Sequence, residues 1–159
     1  MTQLPNLGPR GEGWVVLQLV LLALAALAGL VSGDAWGGTL ATVTSLAGLA
    51  LMAGGALLLG MGLLGLGGNL TPVPRPRDDA QLVESGAYAS VRHPIYGGLL
   101  ATAFGWGLVA ASPLALLLAL VLFGFFELKS RREERWLIER YPDYPEYMTR
   151  TRRFFPGLY

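Results

Sequence analysis

The chain has 159 residues, room for one domain, and is 53% hydrophobic with 14% charged residues, a balance that excludes an ordinary soluble domain. With no cysteine and one histidine it offers no disulfide framework, no thiol nucleophile and no imidazole-rich zinc or di-iron centre. That scarcity of ligands gives no reason to expect a metal, and a formal net charge of +1 gives none to expect nucleic acid, so the placement of the charges matters more than their sum.

Residues 14–31 are apolar apart from Gln18, Gly29 and other small side chains. As a helix they would span roughly 27 Å, enough to cross a hydrocarbon core of about 30 Å. A cleaved signal peptide is the competing reading, against which stand the length of the run and its weak basic flank. After a turn at 32–38, a second apolar run covers 39–66 and would extend about 42 Å, so it should tilt or project past the bilayer. Within it Gly60, Gly62 and Gly65 satisfy G-x-G-x-x-G, but no strand precedes them and the dinucleotide reading fails for lack of a βαβ unit. Ala50/Gly54 and Ala56/Gly60 instead have the small-xxx-small spacing of close helix contacts.

The segment 69–77 carries Pro72, Pro74 and Pro76 and should be extended, with room for one helical turn over 78–85. Residues 86–98 then read G-A-Y-A-S-V-R-H-P-I-Y-G-G and hold the lone histidine, His93. An arginine, an imidazole and two phenols at the mouth of an apolar helix are costly to bury without partners. They read either as an interfacial anchor, with Arg92 snorkelling and Tyr88 and Tyr96 at headgroup level, or as a ligand site.

From 94 to 111 the chain is apolar again, with Pro94 placed as a first helical residue and two rows of small residues, Gly97/Ala101/Gly105 and Ala103/Gly107/Ala111. Ser112–Pro113 breaks it, and residues 114–140 read as one long helix that leaves the membrane near 128. Glu127, Arg131, Glu134, Ile138 and Tyr141 are spaced to share a face of it, and Glu127/Arg131 and Lys129/Glu133 form i,i+4 pairs. A solvated, salt-bridged helix accounts for most of these charges. The fold class expected is therefore an all-α integral membrane protein with four crossing helices, about 14–31, 39–66, 94–111 and 114–128. All twelve Lys and Arg lie before 14, within 69–92 or beyond 126. The positive-inside rule then puts both termini on the cytoplasmic side of the cell (inner) membrane, in a multi-pass arrangement with a cytoplasmic C-terminal cap.

The 86–98 segment resembles the signature, approximately G-x-Y-x-x-x-R-H-P-x-Y-x-G, of integral-membrane methyltransferases related to isoprenylcysteine carboxyl methyltransferase and phospholipid N-methyltransferase. Gly86, Tyr88, Arg92, His93, Pro94, Tyr96 and Gly98 meet it. The likeness continues in the Asn-Leu-Thr-Pro approach at 69–72, in the paired Glu133-Glu134 with Leu137, and through Tyr141, Tyr144 and Tyr147 to Arg152, Arg153 and Pro156. It covers roughly 69–159, whereas 1–68 matches only in being hydrophobic. The resemblance implies a single domain over 1–159, with 1–68 a helical hairpin and 69–159 the cofactor-binding core.

What it implies functionally is S-adenosylmethionine bound between the histidine segment and the C-terminal helical region. Tyr88, Arg92, His93, Pro94, Tyr96, Gly98, Glu133 and Glu134 are the implied cofactor contacts. Arg92 and His93 are the implied catalytic pair, and Tyr144, Tyr147 and Arg152 the implied lid or substrate contacts. Carboxylates suit the ammonium group, Arg92 or His93 the carboxylate, and aromatic faces the sulfonium or adenine. The acceptor would be lipid-like or a small hydrophobic molecule, methylated on oxygen, nitrogen or sulfur, with membrane lipids as neighbours. His93 would serve as proton sink only for a neutral amine. An NADPH-dependent membrane sterol reductase shares a related R-H-P-x-Y signature and is one alternative; a non-catalytic membrane scaffold is another. The basic tail at Arg150, Arg152 and Arg153 reads equally as a clasp to anionic lipid.

Overall fold

In the computed structural model, which describes residues 7–71, 73, 75 and 80–158, the apolar runs all become helices. They are α1 (Glu12–Val31), α2 (Gly38–Leu66), α3 (Pro94–Val109), α4 (Pro113–Arg140) and a short α5 (Tyr144–Arg150). Short 3₁₀ turns stand at Gly67–Asn69 and Gly86–Ala89. No strand forms among the described residues, only one isolated parallel bridge between Val91 and Arg152. Pro72, Pro74, Pro76, Asp78 and Asp79 lie outside the described residues. The helical turn expected over 78–85 is displaced: Ala80 to Glu84 are irregular, and the turn falls at Gly86–Ala89. Gly86, at φ 61°, takes the left-handed conformation that lets the chain enter it.

The helix ends follow local chemistry. Ser112 caps α4 by accepting from the Ala115 N–H at 3.1 Å, and Pro113 is itself the first helical residue rather than part of the break. α3 stops at Val109, two residues short of the expected end, because Ala111 turns to φ 48°. The turns after α1 and α3 are tied together: Asp34 and Ala35 donate to the carbonyls of Ala110 and Ala111 at 3.0 and 2.9 Å. Beneath them the Ser32 and Ser112 hydroxyls meet at 2.8 Å.

Three stretches, Glu12–Val31, Gly38–Asn69 and Pro113–Arg140, are long and apolar enough to cross a membrane; α3 is apolar but has only 16 residues. Their large side chains point outward, as at Leu30, Leu46, Leu57 and Leu64. A hydrocarbon solvent tolerates such a surface where water would not. α3 occupies the middle, packed on α2, α4 and α1, while α1 leans mainly on α4. α1 and α2, although consecutive, scarcely touch.

The contact between α2 and α3 runs along a row the sequence did not single out. Gly48, Gly55 and Gly62, seven residues apart, are the buried positions of α2. A Cβ added at Gly55 would lie 2.7 Å from the Gly98 carbonyl, and one at Gly98 would lie 2.6 Å from the Gly55 carbonyl; Gly48 and Gly105 face each other the same way at 2.5 Å. Gly54 and Gly60, expected in the close rows, have nothing near them. α2 carries glycine on several faces, so spacing alone did not say which face meets a partner. The α3 rows do pack, Ala101 and Gly105 against α2 and Gly107 against Leu116 of α4.

Gly98→Ala should therefore force the α2 and α3 backbones apart at a cost of ~1–3 kcal/mol. Thermal unfolding in detergent should show a clear fall for Gly98→Ala and none for Gly54→Ala; equal behaviour of the two would refute this packing.

Candidate functional site

The site grows from the lower half of α4, where the apolar stripe turns polar without turning outward. Phe126, Lys129, Ser130, Glu133 and Glu134 are all buried, recurring at the three- and four-residue spacing of one helix face. This is not the face expected from Glu127, Arg131, Glu134, Ile138 and Tyr141: Arg131 and Ile138 are exposed. Of the two expected i,i+4 pairs, Glu127–Arg131 forms at 2.7 Å. Lys129 instead reaches across to α1, donating to the Gln18 side-chain oxygen at 2.5 Å.

Against this stripe lie the signature and the tail. The Arg92 Nε donates to Glu134 Oε1 at 2.8 Å, and His93 Nε2 stands 3.3 Å from the same oxygen. Arg153 Nη2 donates to Glu134 Oε2 at 3.0 Å and its Nη1 pairs with Glu127. The Arg92 Nη1 also holds the Thr151 carbonyl, at 2.6 Å. Main-chain bonds run alongside: Arg92 N–H to the Arg152 carbonyl at 2.8 Å, His93 N–H to the Arg153 carbonyl at 2.9 Å, and Arg152 N–H to the Ser90 carbonyl at 2.9 Å. At Gly97 the chain comes so close to the Phe154 carbonyl that a Cβ would collide with it.

On the other side of His93 the arrangement is aromatic. The Tyr96 ring stacks on His93 at 5.4 Å and on Phe126 at 4.5 Å, its hydroxyl donates to Glu133 Oε1 at 2.5 Å, and Lys129 Nζ lies 4.7 Å from its centroid. The other nitrogen of His93, Nδ1, is 3.5 Å from Glu133 Oε2. Tyr147 donates to the Tyr88 carbonyl at 2.6 Å, and Tyr88 to the Gly62 carbonyl at 3.3 Å. Burial pushes the Tyr147 hydroxyl up to about 12 and raises Tyr88 and Tyr144 as well, so these phenols stay donors at neutral pH.

These groups border a cavity of about 280 Å³, just below the common range of about 300–1,000 Å³ for small-molecule sites. It lies where α1 and α2 fail to meet, with Val15 and Gln18 on one side and Leu63 and Leu66 on the other. Tyr88, Arg92, His93, Tyr96, Glu133, Tyr144 and Tyr147, named from the sequence, all line it; so do Lys129 and Tyr141. The segments around Asn69 to Thr71 and Gln81 to Val83 form another wall. Glu134, Pro94 and Gly98 do not line the cavity. Glu134 lies behind it, holding Arg92, His93 and Arg153, while Pro94 and Gly98 pack on α2. Arg152 is exposed and borders a second cavity of about 350 Å³, as do Arg92, Met148, Thr151, Arg153 and Leu158; Arg153 is the arginine whose side chain turns inward, onto Glu134 and Glu127. Lys129, Gln18 and Arg153 were named from the sequence as an i,i+4 partner, a break in an apolar run and part of the tail, but not as site residues. The one available signal was Gln18, the lone polar side chain in the first apolar run.

Removing the Glu134 carboxylate would leave buried guanidinium groups without their partner, at a cost of ~3–5 kcal/mol. Glu134→Ala should lower the thermal midpoint sharply, while Arg152→Ala should stay within about 0.5 kcal/mol of the parent. Unfolding curves that move together would contradict this division.

A profile of the phospholipid methyltransferase family matches residues 43–144, from within α2 to the start of α5. The cobalt-zinc-cadmium resistance protein CzcN of Cupriavidus metallidurans is 35% identical over 111 residues, 64% of this chain and 50% of that protein. The nickel-cobalt-cadmium resistance protein NccN of Alcaligenes xylosoxydans xylosoxydans is 32% identical over 112 residues, 65% of this chain and 52% of that one. The protein-S-isoprenylcysteine O-methyltransferase of Saccharomyces cerevisiae is 39% identical over 75 residues, 46% of this chain and 31% of that enzyme. The chain thus spans about half the length of the two resistance proteins and less of the yeast enzyme. Among the described residues no group of His, Asp and Glu side chains is arranged to hold a metal ion. With the match running through the signature and the paired glutamates, the chain belongs to the phospholipid methyltransferase family.

Proposed function

We propose that the protein transfers a methyl group from S-adenosylmethionine to an apolar or membrane-partitioned acceptor. The observation that carries this reading is a single cavity bordered by Glu133, Arg92, His93 and a set of tyrosines on one side and by leucines of a helix gap on the other. Family membership supports it and speaks against the reductase alternative.

The donor set suits that cofactor. The Glu133 carboxylate would take the ammonium group, and Arg92 and His93 the carboxylate. The faces of Tyr88, Tyr144 and Tyr147 would take the sulfonium or the adenine. When bound, S-adenosylmethionine supplies an electrophilic methyl group on a sulfonium sulfur. The protein's part is positioning and the exclusion of water: Tyr96 fixes Glu133, Glu134 fixes Arg92 and His93, and the buried phenols keep their protons. Asn69 to Thr71 and Gln81 to Val83 would border the bound cofactor. A lipid-like acceptor would arrive sideways between α1 and α2, where Val15, Leu63 and Leu66 match an alkyl chain.

In this reading all four long helices cross the cell (inner) membrane, although α3 would span only about 24 Å. Both termini and the site then lie on the cytoplasmic side, because the turns after α1 and α3 carry no Lys or Arg. Residues 69–159 form the cofactor-binding core of one domain.

Isothermal titration of the detergent-purified chain tests the cofactor. S-adenosylmethionine and S-adenosylhomocysteine should bind and NADPH should not, with affinity falling about tenfold or more in Glu133→Gln and His93→Ala. Silence of the folded wild type with both adenosyl ligands would overturn the reading, as would binding of NADPH alone.

A further inference from the structure

Lys129 is a buried cation that makes no direct ion pair with a described carboxylate. It is 4% exposed, and lysine is rarely buried to that degree without an anionic partner. Arg92 and Arg153 each have one in Glu134. Among the described residues no carboxylate lies within ion-pairing distance of Lys129 Nζ; Glu133, one turn away, acts on it only through space and gives one oxygen to the Tyr96 hydroxyl. What the ammonium has is the neutral oxygen of Gln18 at 2.5 Å and the face of Tyr96 at 4.7 Å. An ammonium carries three donors, so capacity remains, and both Lys129 and Gln18 line the cavity.

Their place in the cavity gives this meaning. Gln18 comes from α1 and Lys129 from α4 one turn closer to the apolar half of that helix than Glu133. Val15, Leu63 and Leu66 border the same cavity. A cation beside an alkyl-lined gap suits an amphiphile whose polar end is negative. It opposes one whose polar end is a protonated amine, because like charges repel strongly where water is scarce.

We infer that Lys129, held by Gln18, is an acceptor-binding residue, and that it selects an anionic acceptor, a carboxylate or thiolate at the end of an apolar chain, over an amine. The inference rests on the methyltransferase reading and narrows it. An anion spends its charge in the new bond to carbon and has no proton to release, so its methylation balances without a base. An amine must lose a proton, and next to Lys129 the charge would accumulate.

The test separates the two readings by using acceptor mimics and cofactor independently. Full-length protein in neutral detergent is titrated with octanoate, octanethiol, octylamine and methyl octanoate, without and with saturating S-adenosylhomocysteine, whose ammonium group would occupy Glu133, and separately with S-adenosylhomocysteine alone. The preference is read with the cofactor product present. Octanoate, or octanethiol at a pH where it ionises, should bind at least about tenfold tighter than octylamine or the ester. Lys129→Met should abolish that preference, Lys129→Arg should retain it, and Gln18→Leu should weaken it while keeping the charge. S-adenosylhomocysteine binding should survive in all of them. Methyl transfer from added S-adenosylmethionine to octanoate or to octanethiol, in a separate assay, distinguishes the oxygen from the sulfur acceptor. Octylamine binding as tightly as octanoate, or a folded Lys129→Met that still prefers the anion, would overturn the inference. So would loss of S-adenosylhomocysteine in that variant, which would assign Lys129 to the cofactor. If Lys129→Met does not fold, the Gln18→Leu and wild-type titrations decide alone. Failure of wild-type S-adenosylhomocysteine binding, with the anion preference intact, would instead sink the methyltransferase reading.

Discussion

The carboxylate of Glu134 joins three stretches that are far apart in the chain. Arg92 and His93 share one of its oxygens and Arg153 takes the other, all in a region largely closed to water. There an uncompensated charge is expensive, so each guanidinium has little freedom to be anywhere else. Once these side chains are in place, the main chain of the signature can pair with the tail through residues 90–93 and 152–153. Gly97 then has to lack a side chain, because the Phe154 carbonyl lies where a Cβ would be. Arg92 and His93 of the signature thus dock the C-terminal tail as well as facing the cavity, and Gly97 leaves room for that tail.

Much of this was legible in the residues themselves. The helices were, because apolar runs long enough to span a bilayer are punctuated by Gly, Pro and charge, and bilayer thickness turns that into length. The grouping of Tyr88, Arg92, His93 and Tyr96 with Glu133 was carried by the family resemblance rather than by any spacing. What stayed hidden has particular causes. Lys129 looked like the solvated partner of Glu133, since both sit at i,i+4, and only the position of α1 shows that Gln18 meets it instead. Gly48, Gly55 and Gly62 were lost among glycines on every side of α2. Arg152 and Arg153 are neighbours in an irregular tail, where a one-residue change of register reverses which side chain turns inward.

Adjacent positions on α4 have been given opposite surroundings. Residues 133 and 134 point roughly 100° apart around the helix, as 3.6 residues per turn requires. That angle suffices to put one carboxylate among cations behind the cavity and the other at its wall. Glu134 is saturated by Arg92, His93 and Arg153. Glu133 has a Tyr96 hydroxyl and an imidazole edge, with the cavity in front of it.

Buried ions are a poor way to gain stability, since apolar side chains of similar volume commonly do as well or better. A bundle built only to fold would have continued the stripe of Leu122, Phe125 and Phe126 down α4. Instead the stripe changes to Lys129, Ser130, Glu133 and Glu134 while remaining buried, at the level where α1 and α2 part and leave a cavity. The polar change and the packing gap coincide. A gap without the charges would fill with lipid chains, and the charges without the gap would be a cost with no return. Together they make a place where a polar ligand and an apolar one can meet away from water, which is the physical requirement for moving a group from a soluble donor to a membrane-partitioned acceptor.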